Sequence, residues 1–134
     1  MENKRPNKVT GKVTSKVLIV DDSPAQLYSL RQIVEKGGYE AVVADSGEQA
    51  LQLASDQSPR VILMDIVMPG MSGYQATRHL GRNEGTRNIP VIFVTSRSDE
   101  TDRVWGMRQG AKDYVTKPVN PEALLSAISS AMAA

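Results

Sequence analysis

The sequence predicts an α/β fold in which five parallel strands form one sheet with helices on both faces. From residue 16 onward, short β-rich runs alternate with stretches of helical spacing. Strands joined through helices need crossover connections, and crossovers make parallel neighbours. Two of the runs, Leu18-Ile19-Val20 and Val61-Ile62-Leu63-Met64, are continuously apolar, as strands covered on both sides should be. Start and stop signals punctuate the helical stretches between them.

The first run, Val17–Val20, ends at Asp21-Asp22, and a helix is expected just beyond. Ser23, Pro24 and Gln26 supply an N-cap, a first-turn proline and a capping-box partner. Leu27, Leu30 and Val34 form its apolar face, and Gly37-Gly38 stops it. The second run is Glu40–Ala44, followed by Ser46 and Gln49 at capping-box spacing and an apolar face of Ala50, Leu51 and Ala54. The third, Val61–Met64, leads through Asp65 to a helix opened by Ser72 and Gln75. Val91–Val94 is the fourth, and its helix ends where Gly110 follows Gln109, the place for a left-handed residue. Tyr114–Val115 is the fifth, after which Asn120-Pro121 opens a helix presenting Leu124 and Ile128.

Bulk composition agrees with one domain. The 134 residues can bury one real core, and 40% hydrophobic with 23% charged residues is ordinary for a globular protein. With aromatics at 4%, aliphatic side chains must fill most of that core. The absence of cysteine excludes disulfides, thiolate metal sites and thiol catalysis, and fits a reducing compartment. No apolar stretch approaches the ~20 residues that span a bilayer, and Val17–Val20 runs straight into two aspartates. A cytoplasmic location without membrane insertion is therefore expected.

The net charge of +1 hides an asymmetry. Residues 1–16 hold five basic residues and one acidic, or +4, leaving 11 basic and 14 acidic elsewhere, or −3. An acidic body argues against nucleic-acid binding. Residues 1–15 are polar and lack periodicity, so they are expected to form a flexible basic leader, with residues 16–134 as the domain. Such a leader either touches an acidic partner or is simply a solvated tail.

Chemistry gathers at the carboxyl ends of the runs: Asp21-Asp22 after the first, Asp65 after the third, Thr95-Ser96 at the fourth, Lys117-Pro118 after the fifth. In an open α/β sheet these ends share one edge, where ligands bind. One such polar residue is ordinarily a cap; three carboxylates, a hydroxyl and a lysine together point to a site. Three close carboxylates repel, and a hard divalent cation such as Mg²⁺ relieves them with oxygen ligands. A carboxylate beside that cation can attack phosphorus and form an acyl phosphate, with lysine and hydroxyl neutralising charge.

This ordered set, with Asp65 inside Leu63-Met64-Asp65-Ile66-Val67-Met68-Pro69-Gly70, resembles the CheY-like receiver domains of bacterial response regulators over residues 16–134. The resemblance implies a flavodoxin-like (βα)5 fold with strand order 2-1-3-4-5. It implies that Asp65 accepts a phosphoryl group from the phosphohistidine of a histidine kinase. Asp22 would ligate Mg²⁺ directly, Asp21 through water, and Asp65 and the Val67 carbonyl would complete the protein ligands. Lys117 would pair with the phosphoryl oxygens, before a cis bond to Pro118, and Thr95 would hydrogen-bond the phosphoryl group. Tyr114 matches the family's switch aromatic, which turns inward and changes the surface of the fourth helix, fifth strand and fifth helix. The other reading of Tyr114 is a ring packed statically at a strand end.

Leu27-Tyr28-Ser29-Leu30-Arg31, Asp45-Ser46-Gly47-Glu48-Gln49-Ala50-Leu51 and Val104-Trp105-Gly106-Met107-Arg108-Gln109-Gly110-Ala111 narrow the resemblance to single-domain regulators of type IV pilus (twitching) motility, the PilH and PilG type. That implies a signalling switch rather than an enzyme, one that assists only its own phosphorylation and dephosphorylation. It also implies a kinase of chemotaxis type, and a monomer or weak dimer. With no helix-turn-helix or catalytic module following, output is expected through protein contacts. Trp105 on the fourth helix either anchors a partner or packs on its own domain, and His79 is expected to be a surface or packing residue. A haloacid-dehalogenase-type phosphatase would want an aspartate where Val67 stands. A flavodoxin-type carrier would find Asp21-Asp22 repelling its flavin phosphate.

Overall fold

A computed structural model of the chain describes residues 14–133. Most of the expected leader therefore lies outside the described residues. The element order is β1 (Lys16–Val20), α1 (Pro24–Lys36), β2 (Glu40–Ala44), α2 (Gly47–Gln57), β3 (Val61–Met64), α3 (Gly73–Arg82), β4 (Val91–Thr95), α4 (Glu100–Arg108), β5 (Asp113–Thr116) and α5 (Pro121–Ala133). All five strands are parallel, in the order β2-β1-β3-β4-β5. The order reverses between β1 and β3, whose following chains leave toward opposite faces and open a crevice.

Alternation along the strands feeds two cores. Val17 and Ile19 join Leu30 and Val34 of α1 and Leu124 and Ile128 of α5 on one face. Leu18 and Val20 join Ala50 and Ala54 of α2, Ala76 and Leu80 of α3, and Phe93 on the other. Each large aliphatic side chain buried this way contributes about 1.5–3 kcal/mol. The central strands β1, β3 and β4 are almost wholly buried, while the edge strands β2 and β5 are partly open.

The start signals act as expected, with one refinement. Ser23, Ser46 and Ser72 each accept the backbone N–H three residues on, and Asn120 accepts that of Ala123 at 2.9 Å. Only Ser72 and Gln75 complete a reciprocal capping box. At Ser46 the Gln49 side chain instead takes the N–H of Asp45, and at Ser23 the backbone N–H is already given to Asp21. At the stops, Gly38 and Gly110 adopt φ of +93° and +105°, conformations that a side chain resists.

Candidate functional site: an acidic crevice closed by a lysine

Asp21 follows β1 directly, and its own N–H still bonds the Ala44 carbonyl across the sheet. Its buried carboxylate accepts the Ser23 N–H at 2.9 Å through Oδ1 and the Lys117 ammonium at 2.7 Å through Oδ2. Ser23 thus caps α1 and orients Asp21 at once. Asp22 points outward and is exposed.

Asp65 ends β3, with its N–H on the Val20 carbonyl. Oδ1 accepts the Ile66 N–H at 2.8 Å, and Oδ2 lies 3.4 Å from Lys117 Nζ. The start of α3 packs so closely over this strand end that a Cβ on Gly73 would fall 2.1 Å from the Asp65 carbonyl oxygen. Glycine is the residue that fits there.

Burial pushes the Asp65 carboxyl above its ordinary value; Lys117 pulls it back, and Asp21 pushes it up again. Hydrogen bonding from the Ile66 N–H and the Thr95 hydroxyl lowers it, leaving a net rise. The Lys117 attraction outweighs the Asp21 repulsion, and the rise that remains is the cost of burying the Asp65 charge.

Asp21, Asp22 and Asp65 can each offer an oxygen within 4.8 Å of the others. This all-oxygen, anionic donor set suits a hard divalent cation such as Mg²⁺ and is poor for zinc or copper. Lys117 reaches the carboxylates from the loop after β5, where its N–H bonds the Thr95 carbonyl at 2.8 Å and its bond to Pro118 is cis. Thr95 is buried at the end of β4, and its Oγ1 accepts the Arg97 N–H at 3.4 Å.

Other expected residues lie further off. Val67 is exposed in the loop after β3. Tyr114 does not touch the carboxylates: its ring is buried against Phe93, and its hydroxyl donates to the Arg97 carbonyl at 2.7 Å. Trp105 is 48% exposed on α4, and His79 is exposed on α3. Sequence reasoning missed the roles of Ser23, Gly73 and the Arg97 carbonyl. A serine two residues past Asp21 signals only a cap, and nothing in a sequence marks a backbone acceptor.

The chain belongs to the response regulator receiver domain family, whose model matches residues 17–129. It is 50% identical over 119 residues to Protein PilH of Pseudomonas aeruginosa, covering 89% of this chain and 98% of that one. It is 37% identical over 117 residues to the phosphate regulon transcriptional regulatory protein PhoB of Escherichia coli. That match covers 87% of this chain and 51% of PhoB, so the chain spans about half the length of that relative. Among solved structures, Vibrio cholerae chemotaxis protein CheY4 aligns with a TM-score of 0.83 at 28% identity, covering 89% of this chain and 99% of CheY4. Family and strand order agree with those expected from the sequence. No described helix is long and apolar enough to cross a membrane.

Proposed function

We propose that the protein is a phosphorylation switch in which Asp65 accepts a phosphoryl group from the phosphohistidine of a histidine kinase of chemotaxis type. The observation that carries this reading is the Lys117 ammonium lying between Asp21 and Asp65, at 2.7 and 3.4 Å, beside the exposed Asp22. In the transfer, an Asp65 oxygen bonds to phosphorus as the donor's P–N bond breaks, and the leaving imidazole keeps the electron pair. Asp21, Asp22, Asp65 and the Val67 carbonyl would hold Mg²⁺, which when bound supplies positive charge against the transferring group. Lys117 moves its charge onto the phosphoryl oxygens, and Thr95 donates its hydroxyl to one of them. The result is read as changed protein contacts through Tyr114 at the face of α4, β5 and α5, with no separate substrate turned over.

Likeness to PilH supports a role in pilus-based motility; a cytoplasmic location and a monomer or weak dimer complete the reading. Acetyl phosphate with Mg²⁺ should add one phosphoryl group by intact mass, and chelation of the metal should prevent it. Full labelling of an Asp65→Asn variant would sink the assignment. Failure to restore twitching in a Pseudomonas aeruginosa strain lacking PilH would count against the motility role alone.

A further inference from the structure

A glycine inside α4 has no local reason to be there, since glycine in a helix interior costs about 1 kcal/mol against alanine. Gly106 is buried. A Cβ placed on it would lie 3.1 Å from Cδ2 of Phe93 and 3.1 Å from Cδ2 and Cε2 of Tyr114. A methyl there would press on the edge of the Tyr114 ring, which would have to give by a few tenths of an ångström.

The two neighbours differ in freedom. Phe93 is fully buried on β4, with Tyr74 edge-on at 5.6 Å on one side and Tyr114 at 6.2 Å on the other. It has nowhere to go. Tyr114 stands on the edge strand and is held by the Arg97 carbonyl at its hydroxyl and by the Arg103 guanidinium 5.8 Å from its ring centre. A side chain at position 106 therefore displaces Tyr114 and not Phe93.

Tyr114 is joined to the acidic crevice through one residue. The Arg97 carbonyl accepts the Tyr114 hydroxyl, and the Arg97 N–H reaches Thr95 Oγ1; the Thr95 carbonyl in turn accepts the N–H of Lys117, whose ammonium lies on Asp21 and Asp65. The buried ring and the placement of Thr95 and Lys117 at the crevice share the Arg97 backbone, so whatever strengthens one favours the other.

We propose that Gly106 is a positioning residue that sets the resting balance of the switch, by leaving room for the buried position of the Tyr114 ring. The proposal rests on the reading of Asp65 as phospho-acceptor for its link to the crevice, but not for the ring position itself. Because coupling between sites is reciprocal, a methyl at position 106 that pushes the ring from this position must also weaken binding of a phosphoryl mimic at Asp65.

The experiment titrates beryllofluoride with Mg²⁺ into the full chain, Gly106→Ala, Tyr114→Ala and the double variant. The Tyr114 ring is followed in parallel by NMR of ¹³C-labelled tyrosine. Gly106→Ala should shift the Tyr114 resonance and weaken beryllofluoride binding about fivefold. That loss should vanish when Tyr114 is already alanine. An unmoved resonance overturns the proposal, as does unchanged affinity or an equal loss in the Tyr114→Ala background. If the parent does not bind beryllofluoride, the phospho-acceptor reading fails instead, and the resonance alone decides the role of Gly106.

Discussion

Tyr114 holds its phenol on the Arg97 carbonyl, and burial, with Tyr74 and Asp102 nearby, pushes its pKa up to about 12. A pKa raised above the ordinary ~10 means that the neutral phenol is favoured in the folded chain. Its contribution to stability is complete below pH ~10 and is lost as pH rises through about 12. Tyr114→Phe should cost about 1 kcal/mol at pH 8 by urea denaturation, and the gap to the parent should narrow above pH ~10. A gap that stays constant would show that the fold does not raise the phenol's pKa. The position of Tyr114 was legible from its spacing to Lys117. Its acceptor was not, because a backbone carbonyl in the loop after β4 takes its direction from the folded loop.

At the scale of elements, helix starts carry both packing and chemistry. The first turn of α3 lies against the strand end that presents Asp65, so Gly73→Ala drives a methyl into backbone that cannot yield. It should destabilise by about 3 kcal/mol. Gly81, near the other end of the same helix, has no atom within 4 Å of where its Cβ would be. Gly81→Ala should stabilise by up to about 1 kcal/mol through helix propensity. Thermal unfolding of both variants checks the contrast, and equal effects would contradict the close approach at Asp65. Cap residues and apolar faces were readable because they depend on neighbours three or four positions away. That Gln26 leaves the Ser23 N–H free for Asp21 was not, since it depends on the crevice.

For the molecule as a whole, parallel order and the convergence of strand ends made the candidate site readable across 96 residues, the separation of Lys117 from Asp21. Each component was a weak signal, and topology joined them. What remained hidden was the packing between α3, β4, α4 and β5, where Tyr74, Phe93, Gly106 and Tyr114 meet without any shared sequence spacing. Residues 16–134 are proposed as the folded unit. Removing residues 1–15 forfeits the bond from the Glu40 N–H to the Ser15 carbonyl, worth about 1 kcal/mol. Phosphoryl uptake by the shortened chain should match the full one by intact mass; a large loss would assign the leader a part in the chemistry.

Trp105 is the sole tryptophan of the sequence and stands half-exposed on α4, one residue from Gly106. Indole emission changes wavelength with hydration, so the unlabelled protein carries its own optical gauge on the helix beside Tyr114. The wavelength of that emission can be followed in real time through a cycle of phosphodonor addition and decay, with no dye attached to the surface that a partner would use.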